Sequence, residues 1–91
     1  MLTLYTKNNC SFCMMAKGLL KNNDIAFEEI NVEQDQSAFD FILSEGHRTM
    51  PQIYRDGELF VEGGFQGLQA MGAQAIKESV EGIDTSLLGD I

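Results

Sequence analysis

The sequence has no tryptophan, a single proline (Pro51), a single histidine (His47) and two cysteines among 91 residues. With no third cysteine, one chain cannot close a four-ligand zinc site around its cysteine pair. No apolar run approaches the about 20 residues of a membrane span, so no membrane association is expected. The first residues, Met1 to Tyr5, are expected to enter a strand rather than an export signal. Basic residues are few, 6 against 14 acidic, and a net charge of −8 argues against nucleic-acid binding through phosphate neutralisation. Internal repeats, low-complexity tracts and linkers are also missing. Residues 1–91 therefore read as a single domain, with 44% hydrophobic residues to fill one modest core.

Acid is absent locally as well. Residues 1–23 hold Lys7, Lys17 and Lys21 and no acidic residue, a net +3 that leaves −11 on the remainder. This basic stretch contains Cys10-Ser11-Phe12-Cys13. Random placement of two cysteines gives that spacing only about 2% of the time, so chance explains it poorly. A β-type run, Leu2-Thr3-Leu4-Tyr5, and a polar turn, Thr6-Lys7-Asn8-Asn9, precede the pair, and a helical pattern follows it. Residues three apart on one helical turn have Cα atoms roughly 5–5.5 Å apart, within disulfide range. Cys10 falls at the helix N-terminus, where unpaired amides and the macrodipole favour thiolate, the reacting species. The surrounding lysines push the same way. Cys13 lies a turn further in, so the geometry predicts that Cys10 attacks and Cys13 resolves. A static structural disulfide is the competing reading, but a bridge closing so small a loop constrains little of the unfolded chain. Exchange-poised cysteines without a larger pairing framework suit a reducing compartment, and a cytoplasmic location is expected.

The first helix is expected from about Ser11 to Asn23, with Phe12 or Cys13, Ala16, Leu19 and Leu20 on its inner side. Ala26 to Val32 reads as a half-exposed strand that completes a parallel βαβ unit. A second helix runs from about Gln36 to Glu45, capped by Asp35 or Ser37 and stopped by Gly46. Phe39, Phe41, Ile42 and Leu43 make it apolar most of the way round, so it is expected to be well packed. Gln52–Arg55 and Glu58–Val61 flank Asp56-Gly57, a two-residue hairpin signal. A last helix starts near Phe65, with Leu68, Met71, Ala75 and Val80 as its inner stripe and Gly72 as a break or kink. The tail from Gly82 to Ile91 shows no period and is expected either to dock as a short extra turn or to stay loose. The expected architecture is α/β, in the order βαβ-α-ββ-α, with a mixed sheet and helices on both faces.

The Cys-x-x-Cys after the first strand, Thr49-Met50-Pro51 before the hairpin and Gly63-Gly64 opening the last helix together resemble a dithiol glutaredoxin. The resemblance runs from Leu2 to about Ala73. Ser11 and Phe12 replace the Pro and Tyr of the usual Cys-Pro-Tyr-Cys, and the missing tryptophan sets the chain apart from thioredoxins proper. The resemblance implies a thioredoxin-like fold with a four-stranded mixed sheet and a cis Met50–Pro51 bond. It further implies a glutathione-dependent oxidoreductase acting on protein disulfides and glutathione mixed disulfides, with glutathione as reductant and co-substrate. In that picture Lys7 and Arg48 meet the glycyl carboxylate, and Thr49, Met50 and Pro51 hold the cysteinyl portion. Gly63 and Gly64 let backbone approach closely, the amides of Phe65 and Gln66 hold the γ-glutamyl carboxylate, and Phe12 contributes its ring. Many members carry Asp where Gln66 stands. His47 is expected to be exposed and outside the site. Met14, Met15 and Met50 are expected near the reactive surface, and Met71 in the core. Expected partners are glutathione and disulfide-containing or glutathionylated proteins, ribonucleotide reductase being a common family client; a monomer is expected. Two alternatives come with the resemblance: a [2Fe–2S] cluster bridged between two chains by Cys10 and glutathione, and a thioredoxin-like reductase served by a flavoprotein.

Overall fold

The computed structural model describes residues 1–81. The side chain of Val80 and the tail Gly82–Ile91, both read from the sequence above, lie outside what is described. The elements are β1 (Leu2–Thr6), α1 (Ser11–Asn22), β2 (Phe27–Asn31), α2 (Gln36–Ser44), β3 (Gln52–Arg55), β4 (Glu58–Val61), α3 (Gly64–Met71) and α4 (Ala73–Glu81). The strands form one mixed sheet in the order β2-β1-β3-β4. Strand β1 runs parallel to β2 and antiparallel to β3, and β3 runs antiparallel to β4.

The alternation of side chains along a strand explains why the sheet has two cores. On one face Leu2 and Leu4 of β1 and Ile53 of β3 pack with Ala16, Leu20, Phe65, Leu68 and Ile76, which come from α1, α3 and α4. On the other face Tyr54 packs with Val32, Ala38 and Ile42, flanked by Tyr5 and Phe41. Each fully buried leucine or isoleucine contributes roughly 1.5–3 kcal/mol. Helices thus cover both faces, as expected, and α1 is pinned on the face that also receives α3.

Local chemistry sets the joints. Asn9, Asp24 and Asp56 adopt positive φ, at 54°, 58° and 52°, and are of the residue types that tolerate this best. The Asp56-Gly57 turn gives the expected hairpin, with an irregularity where Ile53 pairs Val61 while Tyr54 pairs Leu59. Asp35 caps α2 by accepting from the Ala38 amide at 3.1 Å, and Gly46 ends the segment at φ +88°. Of the inner-side choices on α1, Cys13 is buried and Phe12 is 49% exposed.

Two expectations are corrected. Helix α2 is not packed all round: Ala38 and Ile42 are buried, but Phe39 and Leu43 are exposed, because only one side of α2 meets the sheet. The break expected at Gly72 divides the last helix into α3 and α4, and what differs is the inner stripe beyond it. Gly72, at φ +85° and ψ 148°, breaks the ladder and resets the phase, so Ile76 rather than Ala75 reaches the core. Among the described residues no helix is long and apolar enough to cross a membrane.

Candidate active site

The site is built where β1 hands over to α1. Cys10 is the N-cap residue of α1, in extended conformation at φ −119° and ψ 103°, and it is joined to Cys13 in a disulfide with Cα atoms 5.2 Å apart. The Cys13 amide donates to Cys10 Sγ at 3.2 Å, so the sulfur occupies the place a Ser or Asp oxygen takes in an ordinary cap. When the pair is reduced, the same amide and the helix terminus favour Cys10 as thiolate. Cys10 is 9% exposed and borders a surface cleft, whereas Cys13 is 2% exposed behind it. Cys10 is therefore the sulfur on the cleft side of the pair.

The cleft has a volume of about 770 Å³. One wall is the Thr49-Met50-Pro51 segment, whose Met50–Pro51 bond is cis, and the Met50 carbonyl oxygen lies 3.8 Å from Cys10 Sγ. Gln52, buried behind this segment, steadies it by donating from Nε2 to the Thr49 carbonyl at 2.8 Å. The facing wall is the start of α3. Its N-cap, Gly63 at φ +90°, has no side chain to cap the helix, so the first amides of α3 remain available at the cleft. Gly64 passes so close to Pro51 that a Cβ built on it would stand 2.9 Å from the Pro51 carbonyl oxygen. Phe12 forms the rim and stacks on Phe65, with ring centroids 6.2 Å apart and planes 25° apart.

Of the residues predicted for the site, all line the cleft except Cys13 and Arg48. Cys13 is buried behind Cys10, and Arg48 is exposed outside the lining residues. The basic surround is narrower than the sequence implied. Lys17 pairs with Glu29 at 3.2 Å, and Thr6 donates to the same carboxylate at 2.8 Å. Partial desolvation of Glu29 works against its charge. The hydrogen bonds from Thr6 and Lys17, with the charges of Lys17 and Lys21, outweigh that and hold its pKa below the ordinary value. Lys7 is the lysine that lines the cleft. Met14 and Met15 are exposed on α1 beside the pair, Met50 lines the cleft and Met71 packs on the core.

His47 is not the exposed bystander expected. It is half-buried, lines the cleft and places Nε2 2.9 Å from the Tyr54 hydroxyl. That hydroxyl donates to Glu45 Oε1 at 3.0 Å, so the ring must donate its N–H to the phenol oxygen. Burial first, then the Glu45 carboxylate, push the Tyr54 pKa up to about 12. Sequence reasoning also passed over Asn9, Ser11, Gln52, Leu59 and Glu62 as cleft residues. The signal for Gln52 and Glu62 was adjacency: one follows Pro51, the other precedes Gly63. Among the described residues no group of three or more His, Cys, Asp or Glu is placed to hold a metal. An iron–sulfur cluster would draw one ligand, Cys10, from this chain.

A Cys-x-x-Cys disulfide at a helix N-terminus, with one sulfur open to a cleft walled by a cis-proline segment, marks a thioredoxin-fold thiol–disulfide oxidoreductase. The glutaredoxin family model matches residues 2–60. A glutaredoxin-like protein NrdH of Lactococcus lactis subsp. lactis is 38% identical over 60 residues, covering 66% of this chain and 83% of that protein. Glutaredoxin 3 of Escherichia coli K12 is 32% identical over 72 residues, covering 78% of this chain and 84% of that protein. The solved structure of NrdH-redoxin from Escherichia coli, described as having a thioredoxin-like activity profile, superposes with a TM-score of 0.63 at 30% identity. It covers 70% of this chain and 82% of that one. The chain belongs to the glutaredoxin family.

Proposed function

We propose that this oxidoreductase takes its electrons from glutathione and reduces both glutathione mixed disulfides and protein disulfides. The observation that carries the reading is the donor layout of the cleft. Lys7 and the uncapped start of α3 both border the cleft that Cys10 opens into. A tripeptide with a carboxylate at each end suits such a cleft, and its thiol would meet Cys10 between them.

The steps follow from the two sulfurs. Thiolate Cys10 attacks the glutathione sulfur of a mixed disulfide. A Cys10–glutathione disulfide forms, and the substrate sulfur leaves as thiolate and takes up a proton. A second glutathione thiolate attacks that bond, releasing oxidised glutathione and restoring Cys10. With a protein disulfide, Cys10 first bonds one substrate sulfur and Cys13 then displaces it. The substrate departs as a dithiol and Cys10–Cys13 remains oxidised, to be reduced by two glutathiones. Glutaredoxins sit near −200 to −230 mV, roughly matched to a cytosolic glutathione pool. Protein disulfides are the client class, and ribonucleotide reductase is the first client to try.

A second reading, reduction by a flavoprotein of the thioredoxin reductase kind, is favoured by two observations. Gln66 offers no charge to glutathione's ammonium, and the NrdH-redoxin similar to this chain has a thioredoxin-like profile. The test is NADPH oxidation with a small mixed disulfide under two supplies: glutathione with glutathione reductase, or thioredoxin reductase alone. Turnover with the first supply is expected. Turnover with the second alone would replace the reading.

A further inference from the structure

The permanent charges on the cleft wall are few. In a chain of net charge −8, the residues lining the cleft include one lysine, Lys7, and one carboxylate, Glu62. Glu62 stands immediately before Gly63, the bare N-cap of α3. Its backbone is fixed there. The Gly67 amide donates to the Gly63 carbonyl at 3.3 Å, and a Cβ on Gly67 would overlap the Glu62 carbonyl. No described ion pair involves the Glu62 carboxylate. A group of this kind beside free amides presents an anion and anion-binding donors side by side. That combination suits a zwitterion, whose carboxylate takes the amides and whose ammonium takes the acid.

We infer that Glu62 is the counter-charge for the α-ammonium of the γ-glutamyl group, making it a specificity-determining residue of the cleft. The inference rests on the glutathione reading and deepens it. The γ-glutamyl end is the zwitterionic end of glutathione, and the cleft meets it with the Phe65 and Gln66 amides and Glu62. The glycyl end carries a carboxylate alone and faces the Lys7 side. Gln66 can accept one hydrogen bond from the ammonium, but the charge comes from the other side of the glycine pair. A ligand without the ammonium should therefore lose what Glu62 provides.

The experiment is steady-state kinetics of the full chain and its Glu62→Gln, Glu62→Asp and Glu62→Gln/Gln66→Asp variants, with melting temperatures alongside. The substrates are a glutathione mixed disulfide and the matching cysteinylglycine mixed disulfide, which lacks the γ-glutamyl group. Glu62→Gln should raise KM for the glutathione substrate about two- to fivefold, less so at high salt. Glu62→Asp should retain most of the affinity and Gln66→Asp should restore it in the double variant. With the cysteinylglycine substrate, Glu62→Gln and the native chain should not differ. If the native chain turns over the glutathione substrate and Glu62→Gln leaves KM unchanged, the inference is overturned while the glutathione reading stands. A lower melting temperature without a KM change assigns Glu62 to the α3 dipole and overturns it equally. If glutathione supports no turnover and thioredoxin reductase does, both fall together.

Discussion

Replacing Gly64 by alanine should damage both the fold and the cleft, by an amount that can be separated into two causes. Gly64 holds φ +60°, and a Cβ there would meet the Pro51 carbonyl oxygen at 2.9 Å and Pro51 Cδ at 3.7 Å. Gly46 offers the control: it stands at φ +88° with nothing within 4 Å of its Cβ position. A left-handed backbone costs an L residue roughly 1–2 kcal/mol, and that is all Gly46→Ala should lose. Gly64→Ala adds an overpacking term of about 1–3 kcal/mol, because the atom it strikes is backbone and cannot rotate away. The total is on the order of 2–5 kcal/mol. At about 4–8 °C per kcal/mol for a domain of this size, Gly64→Ala should melt at least about 4 °C below Gly46→Ala. Thermal unfolding by circular dichroism reads the difference. A mixed-disulfide assay reads the second effect, since relief of the clash moves Pro51 away from α3 and widens the cleft. Gly64→Ala should lose activity where Gly46→Ala does not. Equal melting temperatures for the two variants would show that the close approach of Gly64 to Pro51 has no energetic weight, and the reasoning would fail.

Three further outcomes are expected. Cys10→Ser should abolish all exchange, while Cys13→Ser should still deglutathionylate and should lose reduction of protein disulfides; equal loss of deglutathionylation in both would reverse the division of roles. Lys7→Gln should raise KM for a glutathionylated substrate more than Arg48→Gln does, because Lys7 lines the cleft and Arg48 does not; steady-state kinetics at low salt decides it. Tyr54 should make the fold alkali-sensitive. Its folded pKa of about 12 exceeds the unfolded value near 10, so the folded state keeps the proton longer and stability falls as pH rises from about 10 to 12. Urea titrations across that range should show a loss of about 2–3 kcal/mol that Tyr54→Phe removes. An unchanged pH slope in Tyr54→Phe would place the sensitivity elsewhere.

The parts legible in the sequence are those written by neighbours along the chain. The Asp56-Gly57 turn, the Gly46 stop, the Asp35 cap and the Cys10 helix start each depend on residues within a few positions of one another. What escaped depends on contacts that only the fold creates. Lys17 and Glu29 meet across α1 and β2, which diverts that lysine from the cysteines. His47 finds Tyr54 seven residues on, in the next strand, and is drawn into the cleft wall by it. Ile76 replaces Ala75 in the core because the φ of Gly72 changes the phase of everything after it. Phe39 and Leu43 look like core by composition, but one side of a nine-residue helix is all that a single sheet face can cover. In the cleft the motif residues were visible and their flankers were not. Glu62 and Gln52 line the cleft because they adjoin the glycine and proline turns that form its walls.

Strand β2 lies at one end of the sheet order, with β1 its only strand neighbour. An open strand edge is a template on which a second chain can add, the first step toward aggregates. Here that edge carries Glu28 and Glu29, both exposed, and Glu33 follows just beyond it. Two copies docking along it would bring carboxylates within roughly 5 Å, the spacing between paired strands, with Lys17 already committed to Glu29. Concentrated protein should therefore resist fibril-like growth from this side, most strongly at low salt. Added salt should weaken that protection by screening the carboxylates.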